Sequence, residues 1–203
     1  MILTMKKLST TIIILMACTV AAMAQEFDKN IASAKSAYGA GNLEDTRFAL
    51  QQALHELDIV IGKEILKQLP TKLGADNYNE KDDNVTGGAG VATGLYVHRT
   101  YGEQSGSSID VINNSPLITS INAILAIPFI GNSGDGAQKV VKIQGYKAVL
   151  NRDEDEATGK TGYTLQIPMN NTLLTMEMDD TTENEIQALA NTIPLAKIAQ
   201  MAQ

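Results

Sequence analysis

Tryptophan is absent from this sequence, and phenylalanine and tyrosine together make up only 4% of its 203 residues. Carbohydrate-binding platforms and the most tightly packed protein interfaces use tryptophan and tyrosine, whose large rings supply much of the contact energy. The composition therefore disfavours a sugar-binding surface and an interface built on aromatic anchors.

Side chains suited to catalysis and metal binding are also scarce. The chain has one cysteine and two histidines, His55 and His98, so it lacks both a cysteine pair and the His-x-x-x-His spacing of common metal sites. It also lacks the Gly-x-Ser-x-Gly turn that presents a nucleophilic serine. We predict no catalytic residue, no cofactor and no metal ion. A hydrolase built around His98 is the weakest alternative, since a catalytic triad assembles from residues distant in sequence.

The first 24 residues have the pattern of a cleavable signal peptide. Lys6 and Lys7 precede an apolar stretch over residues 11–20, and Ala22-Met23-Ala24 provides the small residues that signal peptidase accepts. We therefore predict an exported protein, periplasmic or secreted, that begins at or near Gln25. The alternative is a lipoprotein anchored to the membrane through Cys18, because Leu15-Met16-Ala17-Cys18 approximates a lipidation motif.

Acidic residues outnumber basic residues by 23 to 16. The predicted leader holds Lys6 and Lys7, so its removal changes the formal net charge from −7 to −9. A strongly acidic domain is repelled by phosphate backbones, which excludes nucleic acid as an expected partner.

Residues 25–70 are predicted to form a helical hairpin. A first helix over residues 27–38 ends at Gly39-Ala40-Gly41-Asn42, because glycine suits a helix C-cap and a tight turn. A second helix from Leu43 to Leu69 has leucine and isoleucine at three- and four-residue spacing, which is an amphipathic pattern. Pro70 is expected to end it.

Part of this hairpin resembles one tetratricopeptide unit, through Ala37-Tyr38-x-x-Gly41-Asn42-Leu43 followed by Arg47, Ala49-Leu50 and Ala53-Leu54. Repeat arrays need about three copies to bury their apolar faces, and this sequence shows a single copy. We therefore expect the second helix to dock on the downstream domain or on another chain.

The rest of the chain is interpreted as a linker followed by a second domain. Residues 71–93 are polar and glycine-rich, as in a linker, whereas in residues 94–203 the apolar period changes to two, which predicts strands. The predicted strands are residues 95–101, 107–112, 139–144, 146–151, 163–168 and 172–178. A helix with Ser115 as its N-cap and Pro116 as its first residue follows the second strand, and a last helix is capped by Thr182. The strands and these helices make an α+β domain, in which a mainly antiparallel sheet has two helices on one face.

Five short motifs carry a resemblance to a known fold. They are Leu69-Pro70, Arg99-Thr100-Tyr101, Asn114-Ser115-Pro116-Leu117, Ile143-x-Gly145-Tyr146-Lys147-Ala148 and Asn171-x-Leu173-Leu174. Together with the order of the elements, they make the chain from Gly94 onward resemble the PsbP-like sheet-and-helix fold. The whole mature chain resembles an uncharacterised family of exported bacterial proteins that join a helical hairpin to such a domain. Since PsbP-like domains are mostly binding or assembly modules, the resemblance implies a non-enzymatic function.

The favoured hypothesis is an exported, non-catalytic interaction or assembly module, whose partner is another envelope protein. The alternative is a carrier of a small apolar ligand or lipid in a cavity between sheet and helices. The candidate contact surface combines the second helix of the hairpin with the apolar Ser-Pro helix, which is either buried core or part of a groove. Its residues are Leu50, Leu54, Leu57, Ile61, Ile124, Ile127 and Phe129.

The mass of the purified protein tests the leader. Cleavage after Ala24 predicts a chain that begins at Gln25 and contains no cysteine, whereas lipidation predicts a chain that begins at an acylated Cys18. Intact-mass spectrometry of protein recovered from the exporting cell distinguishes the two. An unmodified chain that retains residues 1–24 would contradict both.

Overall fold

A computed structural model describes residues 25–88, 94–102, 106–127, 137–154 and 159–203 of the chain. The chain divides into two compact units, Met1–Val60 and Ile61–Gln203. The predicted leader lies outside the described residues. None of the described helices is both long and apolar enough to cross a membrane.

The described part of the first unit is helical, as the glycine turn and the apolar spacing predict. The described part of helix α1 covers residues 25–39 and helix α2 covers Leu43–Leu66, so α2 begins in the first unit and ends in the second. Gly41 has a φ of 76°, a left-handed conformation that suits glycine. Asn42 caps α2, because its side-chain oxygen accepts a hydrogen bond from the backbone N–H of Asp45 at 3.2 Å.

Most of the segment interpreted as a linker, residues 71–93, instead belongs to the second unit. It contains the short strands β1 (Lys72–Leu73), β2 (Asp76–Asn77) and β3 (Asn84–Thr86). Strands β1 and β2 pair with each other, and Leu73 is buried in the core. Strands of two or three residues are too short to show an alternating pattern, so this polar segment was not predicted to contain strands.

The remaining strands follow the predicted period of two closely. They are β4 (Tyr96–Tyr101), β5 (Ser107–Asn113), β6 (Gln138–Ile143), β7 (Tyr146–Glu154), β8 (Thr161–Met169) and β9 (Thr172–Met178). With β3 they form one seven-stranded antiparallel sheet in the order β3-β4-β5-β9-β8-β7-β6. The last strand in sequence lies in the middle of the sheet, between β5 and β8. The predicted α+β class, a helical hairpin followed by a mainly antiparallel sheet, is confirmed.

Helices cover both faces of the sheet, which corrects the prediction of two helices on one face. Helix α3 (Leu117–Ala126) packs Ile121 against Val149 and Leu173. Helices α4 (Glu183–Ala190) and α5 (Leu195–Met201) pack in the main core with the neighbours of those strand residues, Ala148 and Leu174. Successive side chains of a strand point to opposite faces, so α3 lies on the face opposite to α4 and α5.

Helix α4 begins at the residue that the sequence indicates. Thr182 accepts a hydrogen bond from the backbone N–H of Glu185 at 3.3 Å, as an N-cap does. At α3 the cap differs from the prediction by one residue, since Pro116 is the N-cap. The Ser115 hydroxyl accepts a 3.4 Å hydrogen bond from the backbone N–H of Leu117.

The buried ion pair between Arg99 and Asp83 connects three parts of the second unit. The Arg99 Nε and Nη2 atoms donate to the two carboxylate oxygens of Asp83 at 2.8 and 2.6 Å, and Nη1 donates to the backbone carbonyl of Leu66 at 2.9 Å. The guanidinium also lies 4.3 Å from the centre of the Tyr78 ring. The last turn of α2, the segment before β3 and strand β4 therefore meet at one side chain.

Removing the carboxylate from this pair should destabilise the second unit strongly. In Asp83→Ala the Arg99 guanidinium stays buried without its counter-charge, which costs about 3–5 kcal/mol of unfolding free energy. Urea denaturation followed by circular dichroism measures the loss. The neighbouring exposed carboxylate serves as the control, because Asp82→Ala should cost less than about 1 kcal/mol. Equal losses in the two variants would contradict a special role for the buried pair.

Candidate interaction surface

A line of exposed leucines runs along helix α2 within the first unit. Leu43, Leu50, Leu54 and Leu57 keep 68%, 44%, 57% and 42% of their surface accessible to solvent. Their spacings of seven, four and three residues place them on one face of the helix. We call these four residues the leucine stripe. It spans about 21 Å, since an α-helix rises about 1.5 Å per residue.

A different face of the same helix is buried. Ala49 and Ala53 are buried on α2, and Ala34 is buried on α1. Alanine side chains are small enough to let two helix backbones come close, which explains why the covered positions of this hairpin hold alanine. The leucine stripe is therefore not the face that the hairpin uses for its own folding.

The structure separates the seven predicted surface residues into three groups. Leu50, Leu54 and Leu57 lie on the leucine stripe. Ile61 is partly buried against the main core, and Ile124 is partly buried beside Ile121, so neither belongs to a free apolar surface.

The other two residues come from the end of the Ser-Pro helix and its continuation. Ile127 is exposed, just past the end of α3. Phe129 lies outside the described residues. Helix α3 itself is half covered, with Ile121 buried and Ile118 and Leu125 partly buried, so it is neither fully buried core nor an open groove.

Sequence reasoning missed several exposed apolar side chains of the hairpin. Tyr38, Leu43 and Phe48 keep more than 60% of their surface accessible to solvent, and Val60 keeps 40%. In the sequence, Leu43 begins the second predicted helix and belongs to the tetratricopeptide-like motif, and its seven-residue distance from Leu50 is a usable signal for the stripe. Phe48 lies two residues before Leu50 and about 160° away around the helix, so it belongs to a different face.

A cluster of partly buried polar side chains lies on strands β4 and β5. Asp110 faces His98 across the two strands, and its Oδ1 atom lies 2.7 Å from Nδ1 of His98. The Tyr96 hydroxyl donates to the same oxygen at 2.8 Å, and the rings of Tyr96 and His98 stack with centroids 6.1 Å apart. Burial, followed by the hydrogen bond to Asp110, raises the pKa of Tyr96 well above its ordinary value, so this hydroxyl stays protonated and donates.

Glu177 extends this cluster on the neighbouring strand β9. Partial burial raises the pKa of its carboxyl group, and the negative charges of Asp110, Asp153 and Asp179 raise it further, while His98 acts in the opposite direction. Like charges close together disfavour ionisation, so this part of the sheet is electrostatically strained at neutral pH.

The contacts of His98 bear on the hydrolase alternative. Asp110 orients the ring as a carboxylate orients a catalytic histidine. Within the residues that the structure describes, however, the hydrogen bonds of His98 include no hydroxyl group that would serve as nucleophile. Over the same residues, no group of three or more histidine, cysteine or acidic side chains is arranged to hold a metal ion.

Three cavities on the second unit bear on the ligand-carrier alternative. One of about 500 Å³ lies over the β1–β2 turn and contains Asp76 and Lys81. A second, of about 240 Å³, contains Lys160 and several acidic side chains, and a third, of about 310 Å³ beside α3, contains Asn122 and Lys147. Charged or amide groups line part of each cavity, and Leu125, Ala126 and Pro168 also line the third.

The raised pKa of Glu177 predicts a pH-dependent stability. A carboxyl group whose pKa is higher in the folded than in the unfolded protein binds its proton more tightly when folded, so stability falls as pH rises through the folded-state pKa. The neutral variant Glu177→Gln should therefore unfold at a higher temperature than the wild type at pH 7. The difference should disappear below the ordinary value of 4.5.

Thermal unfolding measured from pH 3 to pH 8 checks this expectation. Glu80→Gln, at an exposed glutamate on the β2–β3 connection, is the control and should show no such pH-dependent gain. A gain for Glu177→Gln that is equal at pH 3 and pH 7 would contradict the electrostatic origin.

Comparison with known proteins adds no assignment to these surfaces. No protein-family model, no curated protein and no solved structure matches this chain. The resemblance to PsbP-like domains stays a prediction.

Proposed function

We propose that the chain is an exported, non-catalytic interaction module and that its contact surface is the leucine stripe of α2. The observation that carries the proposal is the exposure of Leu43, Leu50, Leu54 and Leu57 on one line of the helix. Single exposed apolar residues are common on protein surfaces, but a continuous line of them marks a site of association.

The energy of covering this surface supports the proposal. Full burial of a leucine side chain contributes about 1.5–3 kcal/mol. Each leucine of the stripe has roughly half its surface exposed, so a partner that covers it would gain about 1 kcal/mol per side chain. Four such contacts contribute about 4 kcal/mol, and polar contacts around the stripe supply the rest of the affinity, because association also costs translational and rotational freedom.

Export is the part of the proposal that the amino-acid sequence supports. The paired lysines, the short apolar stretch and the Ala22-Met23-Ala24 site form a leader pattern. An apolar stripe that stays exposed to water promotes aggregation unless a partner covers it.

The shape of the surface favours a macromolecular partner over a small apolar ligand. Ligand sites are concave and enclose most of the ligand, whereas the leucine stripe lies on the outer surface of a helix. A helix or another extended apolar face can lie along such a stripe. The carrier and hydrolase alternatives gain no comparable observation from the cavities or from His98.

Photo-crosslinking in the cell tests the proposed surface. A photo-reactive amino acid that replaces Leu54 should give a discrete adduct of higher mass after illumination, because Leu54 lies in the middle of the stripe. The same amino acid in place of Phe48 is the matched control, since Phe48 is equally exposed but lies on a different face of α2.

The expected result is an adduct from position 54 that is at least about tenfold stronger than the adduct from position 48, because a side chain at position 48 points away from the partner. The absence of any adduct from positions 50, 54 and 57 would contradict the function as an interaction module. Equal adducts from positions 48 and 54 would show non-specific contact of apolar side chains.

A further inference from the structure

We infer that the partner covering the leucine stripe is a second copy of this chain, with the two α2 helices packed antiparallel about a two-fold axis. This inference rests on the proposed function and adds the identity and orientation of the partner. It is carried by the spacing of the stripe and by the charges beside it.

The stripe has the spacing of a coiled-coil seam. Leu50, Leu54 and Leu57 alternate at four and three residues, which corresponds to the d, a and d positions of a heptad, and Leu43 is the preceding d position. The seam ends there, because the next two such positions hold Ile61, which packs against the core, and Glu64. Antiparallel helices place an a residue of one chain opposite a d residue of the other, so Leu50 of each copy meets Leu54 of the other.

Arg47 decides the relative direction of the two helices. It occupies the a position before Leu54 and is exposed. A parallel pair would place Arg47 opposite Arg47 of the second copy, because equivalent a positions face each other, and the like charges would repel. In the antiparallel pair Arg47 lies level with Leu57 of the second copy instead.

In the antiparallel register, an acidic residue of the second copy lies beside Arg47. Asp58 follows Leu57 and lies on the same flank of α2 as Arg47, because eleven residues correspond almost to three full turns. Arg47 of each copy would therefore approach Asp58 of the other, and its aliphatic stem would cover Leu57. The two-fold axis repeats this ion pair at both ends of the contact.

The architecture that results is a familiar one. Each hairpin contributes two helices, which hold alanine at their buried positions, and two hairpins together provide four. Four antiparallel helices joined by short turns enclose a common apolar core. A second copy thus supplies what a single tetratricopeptide-like hairpin lacks.

Charge-reversal variants of the full chain test the pairing. Arg47→Asp places like negative charges at both ends of the contact, and Asp58→Arg places like positive charges there. Each variant alone should dimerise at least about tenfold more weakly than the wild type. An equimolar mixture of the two should dimerise as strongly as the wild type, because every pair in the mixed dimer again joins opposite charges.

Sedimentation equilibrium measures the association constants, and native mass spectrometry identifies the mixed dimer from the mass difference between the variants. Phe48→Ser is the control, since it removes an exposed apolar side chain next to Arg47 but off the stripe, and it should leave dimerisation unchanged. Asp58 has other contacts in the fold, so circular dichroism must show that each variant retains the wild-type helix content.

The outcomes separate this inference from the proposed function. The wild-type chain could stay monomeric up to the hundreds of micromolar while position 54 crosslinks to a protein of different mass. That result would contradict a second copy as the partner and would still support the function as an interaction module. Dimers unaffected by either charge reversal, or a mixture that fails to recover, would overturn the antiparallel register. A monomeric chain that gives no adduct at all would overturn both.

Discussion

The buried pair of Arg99 and Asp83 is the contact on which the second unit depends. A guanidinium in the core is tolerated only if its hydrogen bonds and its charge are satisfied. Here burial works to lower the pKa of Arg99, but the hydrogen bonds and the negative charge of Asp83 outweigh it and leave the pKa above its ordinary value. A third N–H of the guanidinium, on Nη1, donates to the carbonyl of Leu66 in the last turn of α2, which also accepts from the backbone N–H of Leu69 at 3.2 Å. The arginine thus holds the end of a helix, a connecting segment and a strand in one arrangement.

The sheet divides the second unit into two unequal faces. The main core lies on one side, where α4 and α5 pack with the last turn of α2. On the other side α3 covers only a small apolar cluster, and the rest of that face carries His98, Asp110 and Glu177. Because helices cover both faces of the sheet here, consecutive residues around Val149 and Leu173 are buried, although they point to opposite faces. The polar part of the sheet remains in contact with water, where its acidic groups repel one another.

In the hairpin, small apolar residues are buried and large apolar residues are exposed. Its buried positions hold alanine, which contributes little apolar area, while its leucines remain in water. A helix of this kind gains most of its stability from packing of an amphipathic face rather than from its own propensity. The function proposed for the chain follows from this surplus of exposed apolar surface, and the two-fold contact that we infer between copies would balance the charge of Arg47 as well as cover the leucines.

Local patterns in the sequence were sufficient for most of the elements. Alternation of apolar and polar residues predicted β4 to β9 within a few residues, and capping residues such as Thr182 predicted helix ends, because these signals act within one or two turns of chain. Apolar spacing also predicted the line of leucines on α2. Strands β1 to β3 escaped prediction, since two or three residues form a strand only when a neighbouring strand pairs with them.

Tertiary structure alone decided which faces are covered. The position of β9 between β5 and β8, the placement of α3 on the face opposite to α4, and the partners of Arg99 all join residues far apart in sequence. The same holds for Ile61 and Leu57, which share one apolar pattern although the first packs against the core and the second stays exposed. The apolar period of a helix indicates which residues form an apolar face. Only the folded chain determines whether that face packs within the molecule or must be covered by another one.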